Sequence, residues 1–402
     1  MKKISIIGLI SFLFIFPAQA VFPETPEIIS EAAVVMDAAT GTIIYSKNPG
    51  REIPPASLTK LMTMHLVLNE IKAGKASLDE IFTPRRESWA INQPPGSSLM
   101  RIANGHRVSY RDLLLGMAIV SGNDAAAAAA LSIAPSIEEF VDLMNIEAAA
   151  MGLTKTWFVD PAGYWEQNMT NALDFARFCR IYLEVHPESL LQFHSVKSFS
   201  YPQEKNLSQQ YLNDTEGNSF ASPAVRTNTN TLLGKVIGVD GFKTGYIPEA
   251  GYNIALTAER NSSRFIAVIL GAPAEWGGDR IRDDDGRKLL EWAFANYKTI
   301  RPPVAAPESA RVWKGKENYV ELIFGMPLEF TALSERGENL GWNIELIEPL
   351  IAPLPAGFYA GDLVLYDSLG ELRTIPILTA NEIEKGGFFK RILDSIKLFF
   401  KQ

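Results

Sequence analysis

The 402-residue sequence predicts an α+β architecture, in which an antiparallel sheet carries a helical insertion and is followed by a small all-β domain and a C-terminal amphipathic helix. Three patterns carry that reading. β-rich runs occupy residues 32–36 and 42–46 and return at 236–244, 252–259 and 264–270, with helical signals between, so strands from both ends of the segment share one sheet. Short alternating runs at 319–324, 328–332, 342–347, 362–366 and 372–378, separated by turn residues, predict the β-domain. Residues 386–402 gather their apolar side chains on one helical face.

In chain order, Lys2 and Lys3 precede an apolar run over 4–16, then Pro17 and Ala18-Gln19-Ala20, the layout of a secretory signal cleaved after residue 20. The run is shorter than the roughly twenty residues that span a bilayer, so an exported protein is expected. Asp37-Ala38-Ala39-Thr40-Gly41 joins the first two strands as a hairpin. Pro54-Pro55 then admits a helix with Ser57 in its first turn, running to about Ala73 and capped by Gly74. Ser109 reads as the N-cap of a helix over 110–120, and alanines 125–130 favour a close-packed helix. Ser136 and Glu139 form a capping-box pattern for a helix from Ile137 to Gly152, and Thr170 is expected to cap the next one. Cys179 falls in an apolar run of helical period and reads as core; as the sole cysteine it forms no intramolecular disulfide. Residues 195–235 are polar and suggest no definite element. A helix over 285–297 closes a unit of residues 21–300, and Arg301-Pro302-Pro303 opens the β-domain of 301–385.

With net charge −8, nothing suggests nucleic acid as a partner. The four histidines form no pair at i, i+4, so neither a metal nor another cofactor is expected. Chemistry concentrates elsewhere. Ser57 alone among the serines has a lysine, Lys60, three residues on, and side chains at that spacing are neighbours on a helix. A lysine amine activates a serine only when neutral, and burial and a second cation both favour that form. Lys243, in Lys243-Thr244-Gly245, is the candidate second cation. Ser121-Gly122-Asn123 supplies a hydroxyl able to relay a proton and an amide able to hold substrate or Lys60.

Together and in this order, the three motifs resemble the active-site set of penicillin-binding proteins and serine β-lactamases. More narrowly, residues 55–63, 121–125 and 239–253 resemble the low-molecular-mass penicillin-binding proteins, the D-alanyl-D-alanine carboxypeptidases, across almost the whole mature chain. The resemblance implies a transpeptidase-like fold with the nucleophile between sheet and helices, and a peptidoglycan stem peptide ending in D-Ala-D-Ala as substrate. It implies catalytic roles for Ser57, Lys60, Ser121 and Asn123. Lys243 and Thr244 would receive the substrate carboxylate, Gly245 would admit its backbone, and the N–H groups of Ser57 and Tyr246 would hold the oxyanion. A β-lactam would leave Ser57 stably acylated. Two positions depart from the family pattern: Tyr246 stands where histidine is frequent, and Asn228-Thr229-Asn230 lacks the arginine of Asn-Arg-Asn, a charge that only the nearby Arg226 could replace. The rival readings are a β-lactamase, which must deacylate fast, and a membrane-attached, cell-wall-binding or shape-controlling module with incidental catalysis.

In the tail, Phe388, Phe389, Ile392, Leu393, Ile396, Phe399 and Phe400 share a face opposite Lys390, Arg391, Asp394, Lys397 and Lys401, with Leu398 alone out of pattern. Such a helix suits an anionic membrane surface, with Gly386-Gly387 as a hinge. The expected location is periplasmic, attached peripherally to the outer face of the cytoplasmic membrane. The alternative is a helix docked on the β-domain.

Overall fold

The computed structural model describes residues 23–208, 223–275 and 277–401, so the expected leader peptide of residues 1–20 lies outside the described residues. The chain opens with β1 (Ala32–Asp37) and β2 (Ile43–Lys47), a hairpin closed by Gly41 at φ +73°. A 3₁₀ turn, Ala56–Thr59, leads into α1 (Lys60–Lys72), and a short ladder pairs β3 (Ile81–Phe82) with β4 (Val108–Ser109). The helical insertion continues with α2 (Tyr110–Val120), α3 (Asn123–Ile133), α4 (Ile137–Ala150) and α5 (Ala172–Val185). In the stretch that suggested no element, β5 (Ser198–Tyr201) pairs with β6 (Ala224–Thr227). Then come β7 (Val239–Ile247), β8 (Gly251–Arg260), β9 (Ser263–Ala272) and α6 (Gly278–Asn296).

The five-stranded sheet has the order β2-β1-β9-β8-β7, antiparallel throughout, so the two ends of the unit do share one sheet. Strand periodicity explains its place in the core. All six residues of β1 are buried: Ala32, Val34 and Met36 face the helical insertion, and Ala33 and Val35 face α6. The sheet is therefore sandwiched between two helical layers, and β7 forms one edge.

Local chemistry fixes the helix ends. Ser109 accepts from the Asp112 N–H while Asp112 accepts from the Ser109 N–H, a complete capping box, and Ser136 accepts from the Glu139 N–H. The expected cap at Thr170 is one residue off. Asn171 caps α5 by accepting from the Asp174 N–H, because Thr170 Oγ1 is already paired with Thr156 Oγ1 at 2.8 Å. Helix α6 begins seven residues before its expected start, since its polar first turns give no apolar period, yet Arg282 and Asp285 there are buried. Asp285 accepts the Ser30 N–H and hydroxyl at 2.8 and 2.7 Å.

The chain passes from α6 directly into β10 (Tyr297–Ile300), then β11 (Ser309–Trp313), β12 (Tyr319–Phe324), β13 (Phe330–Leu333), β14 (Gly341–Leu346), β15 (Leu350–Ile351), β16 (Tyr359–Asp367) and β17 (Gly370–Thr379). Six of these strands form one sheet, β14-β16-β17-β12-β11-β15, while β10 pairs with β13. Strands β10, β11 and β15 were not evident in the sequence. A separate apolar core from Ile300 to Ile383 holds this domain together. The buried Asp37 carboxylate ties it to the first sheet, accepting from Thr299 Oγ1 and Thr331 Oγ1 at 2.8 Å each.

Helix α7 (Phe388–Lys401) rests on the β-domain with its polar face inward. The buried Asp394 accepts the Lys314 N–H at 2.7 Å, and Lys390 Nζ donates to the Lys316 carbonyl at 3.1 Å. Leu398, the residue out of pattern, is half-buried one turn beyond Asp394, which accounts for its place. The apolar face points outward, with Phe389 80 % and Phe400 82 % exposed. Gly386 is not a hinge: its N–H donates to the Lys314 carbonyl, and a Cβ there would meet the Gly315 oxygen at 2.6 Å.

Candidate active site

The turn that carries Ser57 is wedged between β7 and the loop after α4. Ala56, at φ +51° and fully buried, takes a left-handed conformation that disfavours larger side chains. Gly163 packs so closely on it that a Cβ would come within 1.8 Å of the Ala56 carbonyl oxygen. Ser57 is partly exposed, whereas Leu58, Thr59 and Lys60 are buried, so the nucleophile is the part of the turn that faces solvent. It sits in a 3₁₀ turn fused to α1, not in the α-helix proper.

Lys60 Nζ donates to Ser57 Oγ at 2.9 Å, to Asn123 Oδ1 at 2.8 Å and to the Ala162 carbonyl at 2.7 Å. Burial holds its pKa down to about 7, while the carboxylates of Asp160 and Asp124 pull the other way. The second cation expected to do this work is a lesser matter for Lys60. Lys243 itself lies well below the usual lysine range, through burial first and then repulsion from Lys60 and Arg282. Its Nζ donates to the Thr244 carbonyl at 2.8 Å.

Asn123 opens α3, and its Nδ2 donates to Ser97 Oγ at 3.0 Å. Ser121 is the left-handed C-cap of α2, buried two residues away; among the described residues its hydroxyl makes no hydrogen bond to Ser57 or Lys60. Thr244 Oγ1 donates to Thr229 Oγ1 at 2.8 Å, so the position lacking the arginine orients this hydroxyl. Gly245 is pressed against the nucleophile turn, where a Cβ would meet the Pro55 oxygen at 2.8 Å and the Ser57 nitrogen at 3.0 Å. Tyr246 lines the cleft and packs on Tyr252, ring centroids 4.3 Å apart.

A cleft of about 580 Å³ opens over Ser57, walled by Ser97, Asn123, Tyr164 and Trp165 on the helical side and by Tyr246 and Glu249 on the sheet side. Sequence reasoning missed several contributors. Asp160 accepts the N–H groups of Ala162 and Gly163 at 2.7 Å each, and those of Tyr164 and Trp165 at 3.1 Å, and so shapes the loop that offers the Ala162 carbonyl to Lys60. Asp124 likewise accepts from Met100, Arg101 and Ile102, fixing the loop that follows Ser97. Arg226 is exposed on β6 and outside the cleft lining. The further cation acting on Lys243 is the buried Arg282, which lies over Tyr252 with its guanidinium bonded to Asp283 at 2.7 Å. No motif marks it, because it falls in the polar start of α6. All four histidines are buried; His65 on α1 and His186 at the end of α5 pair at 3.1 Å.

Residues 19–274 match the family model described as D-alanyl-D-alanine carboxypeptidase, and residues 298–385 match that of the penicillin-binding protein 5 C-terminal domain. The chain is 33 % identical to D-alanyl-D-alanine carboxypeptidase DacC of Escherichia coli over 98 % of its own length and 94 % of the relative's. Its structure is similar to that of penicillin-binding protein 5 from Haemophilus influenzae, with TM-score 0.75 and 30 % identity over 90 % of this chain and 100 % of that one. A second similar structure, penicillin-binding protein D2 from Listeria monocytogenes in a cefotaxime-bound form, has TM-score 0.56 and 29 % identity over 68 % of this chain and 100 % of that one. A nucleophile-lysine-amide constellation at the seam of a five-stranded sheet and a helical layer, in a chain matched along both its domains, places this protein in the D-alanyl-D-alanine carboxypeptidase family of low-molecular-mass penicillin-binding proteins.

Proposed function

We propose that the chain removes the terminal D-alanine from peptidoglycan stem peptides ending in D-Ala-D-Ala, through an acyl-enzyme on Ser57. The observation that carries this reading is the set of three acceptors around Lys60 Nζ. Asn123 Oδ1 and the Ala162 carbonyl can only accept, so a neutral amine keeps its two hydrogens on them. Its lone pair then faces Ser57 Oγ. With a pKa of about 7, a large share of the lysine is in that form near neutrality.

Strand β7 is a sheet edge, so an extended peptide can add to it as a further strand. Lys243 and Thr244 are the groups that suit the terminal carboxylate, with the buried Arg282 acting electrostatically on Lys243. Ser57 Oγ attacks the penultimate carbonyl as its proton passes to Lys60, and the N–H groups of Ser57 and Tyr246 meet the oxyanion. The C–N bond breaks as the departing D-alanine nitrogen takes a proton, from Lys60 directly or through Ser121. Water then hydrolyses the ester and restores Ser57. The cefotaxime-bound form of the Listeria monocytogenes relative supports the reading that this chain binds β-lactams.

The further parts of the reading are an exported, periplasmic protein held at the outer face of the cytoplasmic membrane by α7. The outward apolar face of α7 and the basic residues Lys314, Lys385 and Arg391 beside it support contact with anionic lipid. The catalytic reading is tested by D-alanine release from a stem pentapeptide. Wild type should release it and a folded Ser57→Ala variant should not; equal release by both would refute it.

A further inference from the structure

Besides Ser57, Lys60 has two acceptors, and separate loops hold them in place. Asn123 is oriented by residues 94–98: its N–H donates to the Ser98 carbonyl at 2.7 Å and its Nδ2 to Ser97 Oγ at 3.0 Å. The Ala162 carbonyl belongs to the loop gathered by Asp160. Tyr164 joins the two loops. Its main chain is fixed in the second by the N–H donating to Asp160 Oδ2 at 3.1 Å, and its hydroxyl reaches the first, donating to the Pro95 carbonyl at 3.0 Å. The Trp165 ring braces it edge-on, with ring centroids 4.8 Å apart.

Two cavities border these loops. One is the cleft over Ser57; the other, of about 230 Å³, reaches Asp160 and Ala162 and is lined by Ala127 and Leu131 of α3. Asn123, Tyr164 and Trp165 border both. Either cavity has room for several water molecules, and each presents polar groups to them. Lys60 itself is fully buried, so access of water to its amine depends on the two loops staying together. A solvated lysine holds its proton more firmly and is a poorer base at neutral pH.

We infer that Tyr164 is a positioning residue, a clasp between the loops that hold Asn123 and Ala162, and that this clasp keeps water from Lys60. The inference rests on the reading of Lys60 as the general base. The charged groups that face Lys60 are Asp160 in the second loop, Asp124 on α3 and Lys243 on β7. Tyr164→Phe leaves all three in place, along with the ring, so its effect on the lysine reports water admitted and not a charge lost.

The test is the pH profile of acylation by benzylpenicillin, followed by stopped flow for wild type, Y164F and Y164A, with circular dichroism to confirm the fold. Without the clasp Lys60 keeps its proton to higher pH. Y164F should therefore acylate about three- to tenfold more slowly than wild type at about pH 6, and at nearly the wild-type rate at about pH 9. Y164A, which loses the ring as well, should show a larger deficit at the lower pH. A side chain that only shaped the cleft would lower the rate by the same factor at every pH. Superimposed profiles of wild type and Y164F, or a loss in Y164F that is equal at all pH values, would overturn the inference. A wild-type profile with no acid limb would instead overturn the reading of Lys60 as base beneath it.

Discussion

Gly245 lies against the backbone of Ser57 so closely that a Cβ built on the glycine would come within 3.0 Å of the Ser57 nitrogen and 3.2 Å of the Leu58 nitrogen. The strand edge and the nucleophile turn therefore share a contact between main chains, at the place where the oxyanion is to be held. Both neighbours are backbone atoms, which yield only if the turn itself moves.

The substitution Gly245→Ala should thus displace the Ser57 turn by several tenths of an ångström. Penicillin acylation is expected to slow about 10²-fold, as when an oxyanion donor is lost, while the protein stays folded. Stopped-flow acylation and circular dichroism together check this. Near wild-type acylation would show that the contact does not set the geometry.

Lys60→Arg keeps the charge but not the ability to lose a proton, so acylation should fall by about 10²–10⁴-fold without loss of the fold. In wild type, acylation should fall about tenfold per pH unit below the lysine's pKa of about 7 and level off above it. A flat acid limb down to pH 5 would mean that another base operates.

The same group bears on stability. Its folded pKa of about 7 lies below the ordinary lysine value of 10.5, so between these the unfolded chain binds more protons. The cost of burying the ammonium is complete below about pH 7 and is relieved as pH rises toward 10.5. Measured against Lys60→Met by urea unfolding, wild type should gain stability over that window. A difference independent of pH would contradict the burial argument.

Much of this was legible in the sequence. Ser57 and Lys60 are three apart and Ser109 caps α2, relations that local geometry imposes. The β-rich runs at the two ends of the first unit found each other because β1 has no face that can meet water. What escaped the sequence depends on tertiary partners. Thr170 was as good a cap as Asn171 until Thr156 claimed its hydroxyl. Arg282 sits in a polar stretch and Asp160 in an irregular aromatic one, neither with a period, and only the fold brings them to the lysines. In the tail, the apolar face was evident, but the docking of Asp394 on the Lys314 N–H turned an expected flexible hinge into a fixed joint.

That joint leads to a prediction for α7. Removing residues 386–402 should leave activity on small peptides unchanged and abolish binding to anionic vesicles, because the outward apolar face is lost and the catalytic cleft is not touched. Co-sedimentation with vesicles and a peptide assay check both halves. Binding that persists, or a truncated protein that is inactive through misfolding, would show that the tail is not a simple anchor.

The central claim is that Ser57 is the one serine activated by Lys60. Peptide mapping by mass spectrometry of the protein labelled with penicillin tests it most directly. The adduct should lie on the peptide containing Ser57 and be absent from Ser57→Ala. An adduct on Ser121, or one that persists in that variant, would contradict it.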